Sequence, residues 1–141
     1  MNSRTISVNG LDLVLIEAGA GNAKRIVFVH GFGGSKEDFA PFLDRLGAIG
    51  WHAVSFDHRG HGASAKPDDE AKYSLAILAD DVRGVIGALD WESATVLGHS
   101  MGGMVVQLFS IAHPELLDAL ILMVTSHTAP GGIDREMIKV G

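Results

Sequence analysis

The chain has no cysteine. Disulfides, thiol nucleophiles and cysteine-ligated metal sites are thereby excluded. It has no cluster of lysine and arginine, and its formal net charge is −6, so no nucleic-acid partner is expected. Nor does it have a long hydrophobic run. The most apolar stretch, "ALILMV" (Ala119–Val124), is far too short to span a bilayer. The opening "MNSRTISVNG" lacks the apolar centre of a secretory signal. A soluble, cytoplasmic protein without a membrane partner is the expectation. What is present suits one folded domain: 141 residues, 47% of them hydrophobic, with 18 glycines gathered into motifs rather than spread as low complexity.

The elements follow from periodicity. "RTISVNG" alternates into Asn9-Gly10, a two-residue hairpin signal, and "LDLVLIEAG" alternates back. "RIVFVHG" is a near-continuous apolar run, as in a parallel strand buried on both faces. A helix ending near Gly50 follows, with its start near Ser35 or Asp38. "WHAVSFD" reads as a strand, residues 74–89 as an amphipathic helix, "SATVLGH" as a strand, and Ser100 to about His113 as a helix closed by Pro114. "LDALILMV" is the last expected strand. The fold class is therefore α/β: a mostly parallel sheet with an opening antiparallel hairpin and helices on both faces.

Three loops follow strands in this order. The first is "VHGFGG", the second "DHRGHGAS", the third "GHSMGG". In the third, Gly98, Ser100 and Gly102 fit G-x-S-x-G between a strand and a helix, the setting of a nucleophile elbow. Glycines there permit a tight turn, and the helix N-terminus offers N–H groups to an oxyanion. The same five residues also suit an ordinary N-cap serine in a glycine-rich turn.

Taken together, the three loops resemble the N-terminal half of an α/β-hydrolase over roughly residues 6–124, with cap and last strands absent. The resemblance implies that Ser100 is the nucleophile and that the backbone N–H groups of Phe32 and Met101 form the oxyanion hole. The Asp57 turn is implied to be structural, with Arg59 available for ion pairing. His30 and His99 are expected to pack and hydrogen-bond to backbone, and His58 and His61 to be solvent-facing or structural. No cofactor and no metal are implied. Serine at the elbow argues against the family's dehalogenases and epoxide hydrolases, which use aspartate there. It favours esters, lactones, thioesters, peptides or C–C bonds next to a carbonyl. The loops are most similar to those of small-substrate esterases, perhydrolases and C–C hydrolases. The expected substrate is a carboxylic ester or related acyl compound, cleaved through a Ser100 acyl-enzyme.

The family places an acid and then a histidine after later strands. Residues 1–124 are therefore expected to be a partial core, and residues 125–141 a tail at the start of a missing cap region. His127 is a candidate base at the catalytic edge. The remaining partners would come from the rest of a longer serine hydrolase of which this chain is a fragment, or from a complementing C-terminal chain, as in a split hydrolase. Alternatively the chain is a non-catalytic, self-associating module. On every one of these readings Leu117–Val124 is expected to be an apolar edge that something covers, and in the isolated chain to be the contact of a homo-oligomer.

Overall fold

The computed structural model describes residues 1–126 and 133–139, the backbone alone from residue 124 onward. Strands β1 (Asn2–Val8) and β2 (Leu11–Ala18) form the opening hairpin. Asn9 and Gly10 turn it with φ of 51° and 78°, the double positive φ that an Asn-Gly turn accommodates. Then come β3 (Lys24–Val29), α1 (Ala40–Ala48), β4 (Trp51–Phe56), α2 (Leu75–Ala88), β5 (Ala94–His99), α3 (Met101–Ala112), β6 (Leu117–Ser126) and β7 (Ile133–Lys139). They make one sheet in the order β1-β2-β4-β3-β5-β6-β7. The pairs β3/β4, β3/β5 and β5/β6 are parallel, whereas β1/β2, β2/β4 and β6/β7 are antiparallel.

The central strands are apolar on both faces because both faces carry helices. Val27, Val29, Val54, Phe56 and Val96 pack with Val82 and Ile86 of α2 and Val105 and Phe109 of α3. Their sequence neighbours Ile26, Phe28, Ala53 and Leu97 point the other way, to Phe39 and Leu43 at α1. A period of two thus divides one hydrophobic run between two cores. Helix starts follow local chemistry. The Ser74 hydroxyl accepts the Ile77 N–H at 3.0 Å and caps α2. A 3-10 turn, Lys36–Phe39, precedes α1, and Pro41 occupies the first turn of that helix. This places the α-helical start after both positions considered from sequence.

One expectation is corrected. Leu117–Val124 is not an edge, because β7 pairs along its outer side from Leu120↔Lys139 to Ser126↔Ile133. The sequence "IDREMIK" of β7 lacks a clean apolar alternation, so no strand was expected there. Three helices are described, one on the face bearing Ile26 and two on the other. On the α1 side, an apolar groove of about 420 Å³ stays open between Phe42, Leu46, Phe28, Leu97, Ile121 and Met123.

Arg59 and Asp81 form a buried two-point ion pair, with Nε to Oδ2 at 2.7 Å and Nη2 to Oδ1 at 2.8 Å. Asn9 donates to the same carboxylate at 2.9 Å, tying the hairpin turn to α2. Breaking such a pair leaves a buried charge without its partner. Asp81→Ala should lower unfolding stability by about 3–5 kcal/mol. Replacing both partners, as Arg59→Met with Asp81→Leu, should recover most of that loss. Urea denaturation of the single and double variants is the check, and a single-variant loss below about 1 kcal/mol would contradict the assignment.

Candidate active site

Strands β3, β4 and β5 end at the same edge, and their following loops meet there. Ser100 sits between β5 and α3 at φ 55°, ψ −119°. This is a sparsely populated backbone region for a residue with a side chain. Its N–H donates to the Met123 carbonyl at 3.0 Å, and its carbonyl accepts the Gly103 N–H at 2.9 Å. The turn closes because two glycines let backbone approach backbone. A Cβ on Gly98 would collide with the Gly102 carbonyl, and a Cβ on Gly102 with the Val29 carbonyl. Gly103 has no such need: a Cβ there would meet Gly98 O at an ordinary 3.5 Å.

Ser100 is exposed. The loop after β3 lies against it: a Cβ on Gly31 would stand 3.2 Å from Ser100 Cβ. Phe32 and Met101 line one cleft of about 660 Å³, with Gly60, His61, Tyr73, Leu75 and Leu78. As the first residue of α3, Met101 has an N–H with no acceptor inside the helix. Ser100, Phe32 and Met101 are therefore gathered at one place. His127 lies outside the described residues.

The loop after β4 is a scaffold. Asp57 is fully buried. It accepts the Lys36 N–H at 2.8 Å, the Lys36 ammonium at 2.7 Å and the Ala63 N–H at 2.9 Å. Burial alone would push this carboxyl up, but those donors outweigh it and hold the carboxyl below its ordinary value. Ser64 Oγ donates to the Asp57 carbonyl at 2.7 Å and accepts the Val14 N–H at 2.9 Å, fastening the loop to β2. Gly62 is required at φ 51°, where a Cβ would overlap the Asp57 carboxylate. The turn is thus structural, and Arg59 makes the expected ion pair. Lys36 and Asp81 are essential to this scaffold and carried no sequence signal, since both are charged residues next to polar neighbours.

Of the two roles expected for His58, solvent-facing or structural, the structure places it in the second, fully buried. Its Nε2 lies 2.9 Å from the His30 carbonyl and its backbone N–H donates to His30 Nε2 at 3.1 Å. His30 Nδ1 lies 2.6 Å from the Gly31 carbonyl. His30 therefore pairs with backbone, as expected. Burial, reinforced by the neighbouring His30, pushes the His58 pKa down to about 3.

The sequence model of the α/β hydrolase fold matches residues 24–139. The chain belongs to the α/β hydrolase fold family. Relatives of this α/β hydrolase include a serine hydrolase-like protein of Danio rerio, 32% identical over 107 residues, which cover 76% of this chain and 32% of the relative. Epoxide hydrolase 1 of Caenorhabditis elegans is 30% identical over 124 residues, covering 85% of this chain and 30% of that protein. The crystal structure of an epoxide hydrolase from Vigna radiata superposes with a TM-score of 0.82 at 26% identity, covering 86% of this chain and 39% of that one. The chain spans about a third of the length of the curated relatives it matches. It is a hydrolase-family chain, and no helix among the described residues is long and apolar enough to cross a membrane.

Buried neutral His58 makes stability depend on pH. Unfolded, it takes up a proton near its ordinary 6.5, but folded only at about 3. Between those values the unfolded chain holds the extra proton. This contribution is complete above the unfolded value and declines as pH falls, by up to about 1.4 kcal/mol per unit. His30, lowered chiefly by burial, acts in the same direction. Asp57 adds its own loss at lower pH, as its unfolded value of 3.8 is approached and passed. Urea midpoints should fall between about pH 7 and about pH 5, and His58→Gln should flatten that slope. An unchanged slope would mean that His58 is not held neutral in the fold.

Proposed function

We propose that Ser100 is the nucleophile of a hydrolase acting on carboxylic esters or related acyl compounds with an apolar substituent. The supporting observation is the elbow itself: a serine at φ 55°, ψ −119°, exposed at the edge of the sheet above the start of α3. Strain of this kind costs on the order of 1–3 kcal/mol and persists only where surrounding structure enforces it.

In the reaction, Ser100 Oγ attacks the acyl carbon while its proton passes to a base. The carbonyl oxygen becomes an oxyanion facing the N–H groups of Phe32 and Met101. Collapse expels the alcohol, which takes the proton from the base, and leaves an ester on Ser100. Water then attacks that ester by the same steps and releases the acid. The apolar substituent fits the cleft beside Met101, where Leu75, Leu78, Tyr73 and Phe32 form the walls.

Some relatives are named epoxide hydrolases, but the chemistry of a serine points elsewhere. A serine oxygen that opened an epoxide would form an ether, with no carbonyl for water to attack. An acyl substrate instead gives an ester intermediate that water can hydrolyse.

On this reading the base is either His127 or a histidine of a complementing C-terminal part, which would also hold the orienting acid. The open groove beside α1 supports a covering partner, either that part or a second copy of the chain. Light scattering on the purified chain should then show species larger than a monomer, and a stable monomer at high concentration would remove the self-association reading.

Turnover of p-nitrophenyl acetate tests the nucleophile. The chain by itself should hydrolyse it weakly, because an oxyanion hole without a positioned base leaves a residual enhancement on the order of 10³–10⁴ over water. Robust turnover abolished by Ser100→Ala would show that a base is present, and His127→Ala would then test which one. Robust turnover indifferent to Ser100→Ala rejects Ser100 as the nucleophile, whereas the weak residual rate of the oxyanion hole needs no serine.

A further inference from the structure

We propose that His30 is the positioning residue of the oxyanion hole: held as its Nδ1–H tautomer by the backbone of His58, it aims the N–H of Phe32. The proposal rests on the reading of Phe32 as an oxyanion donor.

The tautomer follows from one distance. His30 Nε2 lies 3.1 Å from the backbone nitrogen of His58. A backbone N–H only donates, so Nε2 must present its lone pair. In a neutral ring the proton then sits on Nδ1, which stands 2.6 Å from the Gly31 carbonyl oxygen and donates to it. The same oxygen accepts the Gly34 N–H at 3.0 Å. The Gly31 carbonyl and the Phe32 N–H belong to one planar trans peptide and point in opposite directions. Two donors holding the carbonyl therefore fix the direction of the N–H.

The preceding peptide is pinned as well, because His58 Nε2 lies 2.9 Å from the His30 carbonyl and donates to it. The histidine pair is thus reciprocal: each ring bonds to the other residue's backbone. Neither His30 nor His58 reaches solvent. Their ring centroids lie 4.4 Å apart, with the His61 ring 5.1 Å from that of His30. Water has no route to rescue a wrong tautomer. With Nε2 protonated, ring and backbone would meet donor to donor, and the Gly31 carbonyl would lose its ring partner. Burial favours the neutral ring that this arrangement requires.

Nitrogen NMR of the histidine rings reads the tautomer directly: His30 should show a protonated Nδ1 and a bare Nε2 at neutral pH. Kinetics reads the consequence. His30→Leu should lower kcat for p-nitrophenyl acetate by roughly ten- to a hundredfold, a part of what removing one oxyanion donor costs, with KM little changed. His30→Asn places an amide N–H where Nδ1 stood and should recover most of the rate. A protonated Nε2 in the native chain overturns the proposal. So does a leucine variant with undiminished kcat, or an asparagine variant no better than leucine. Should the leucine variant fail to fold, the ring tautomer and the asparagine variant decide. If robust turnover survives Ser100→Ala, the nucleophile reading fails, and the ring tautomer still tests the lock.

Discussion

The close approach of backbone to backbone where β5 turns into α3 is the constraint on which the rest depends. Gly98 meets the first turn of the helix, and Gly102 lies against the Val29 carbonyl at the end of β3. Any side chain at either position would force the helix away from the sheet. With both absent, α3 sits over the sheet and buries Val105, Val106 and Phe109 completely. The same closeness sets Ser100 beside Gly31, so packing and site geometry have a single cause.

The neighbouring loops are rigid for a different reason. Between Asp57 and Ala65 the chain has little apolar content, yet it is buried where it matters. Asp57 gathers a lysine and two backbone N–H groups, and Ser64 bonds in both directions. With Asp57 and Ser64 satisfied in this way, the loop favours one conformation, since moving either leaves a charge or an N–H without a partner. The Arg59–Asp81 pair then couples this loop to α2, and Asn9 couples it to the hairpin. Site loops and core are one connected structure.

Local features were legible in the sequence. Asn9-Gly10 announced its turn, the apolar runs announced buried strands, and Gly98, Ser100 and Gly102 announced the elbow, because in each the residue type and the backbone shape coincide. Partnerships across distance were not legible. Lys36 reads as a surface residue until the end of β4 brings Asp57 to it from 21 positions away. Asp81 reads as the polar side of an amphipathic helix, yet it is fully buried by Arg59. His58 looked like a turn residue, and its burial follows only from the loop folding back over His30. β7 carries too little apolar alternation to declare itself, and its place comes from pairing with β6.

The strain at position 100 belongs to the scaffold and not to the serine. Two glycines, a strand end and a helix start impose φ 55° on whatever residue stands there. The cradle is therefore indifferent to which side chain it holds up. Lineages can exchange the reactive atom while inheriting the same mount, so kinship in sequence and shape tracks the mount more faithfully than the bond being cut. Similarity to epoxide hydrolases and a serine at the elbow are then compatible facts about two separable things, ancestry and reactivity.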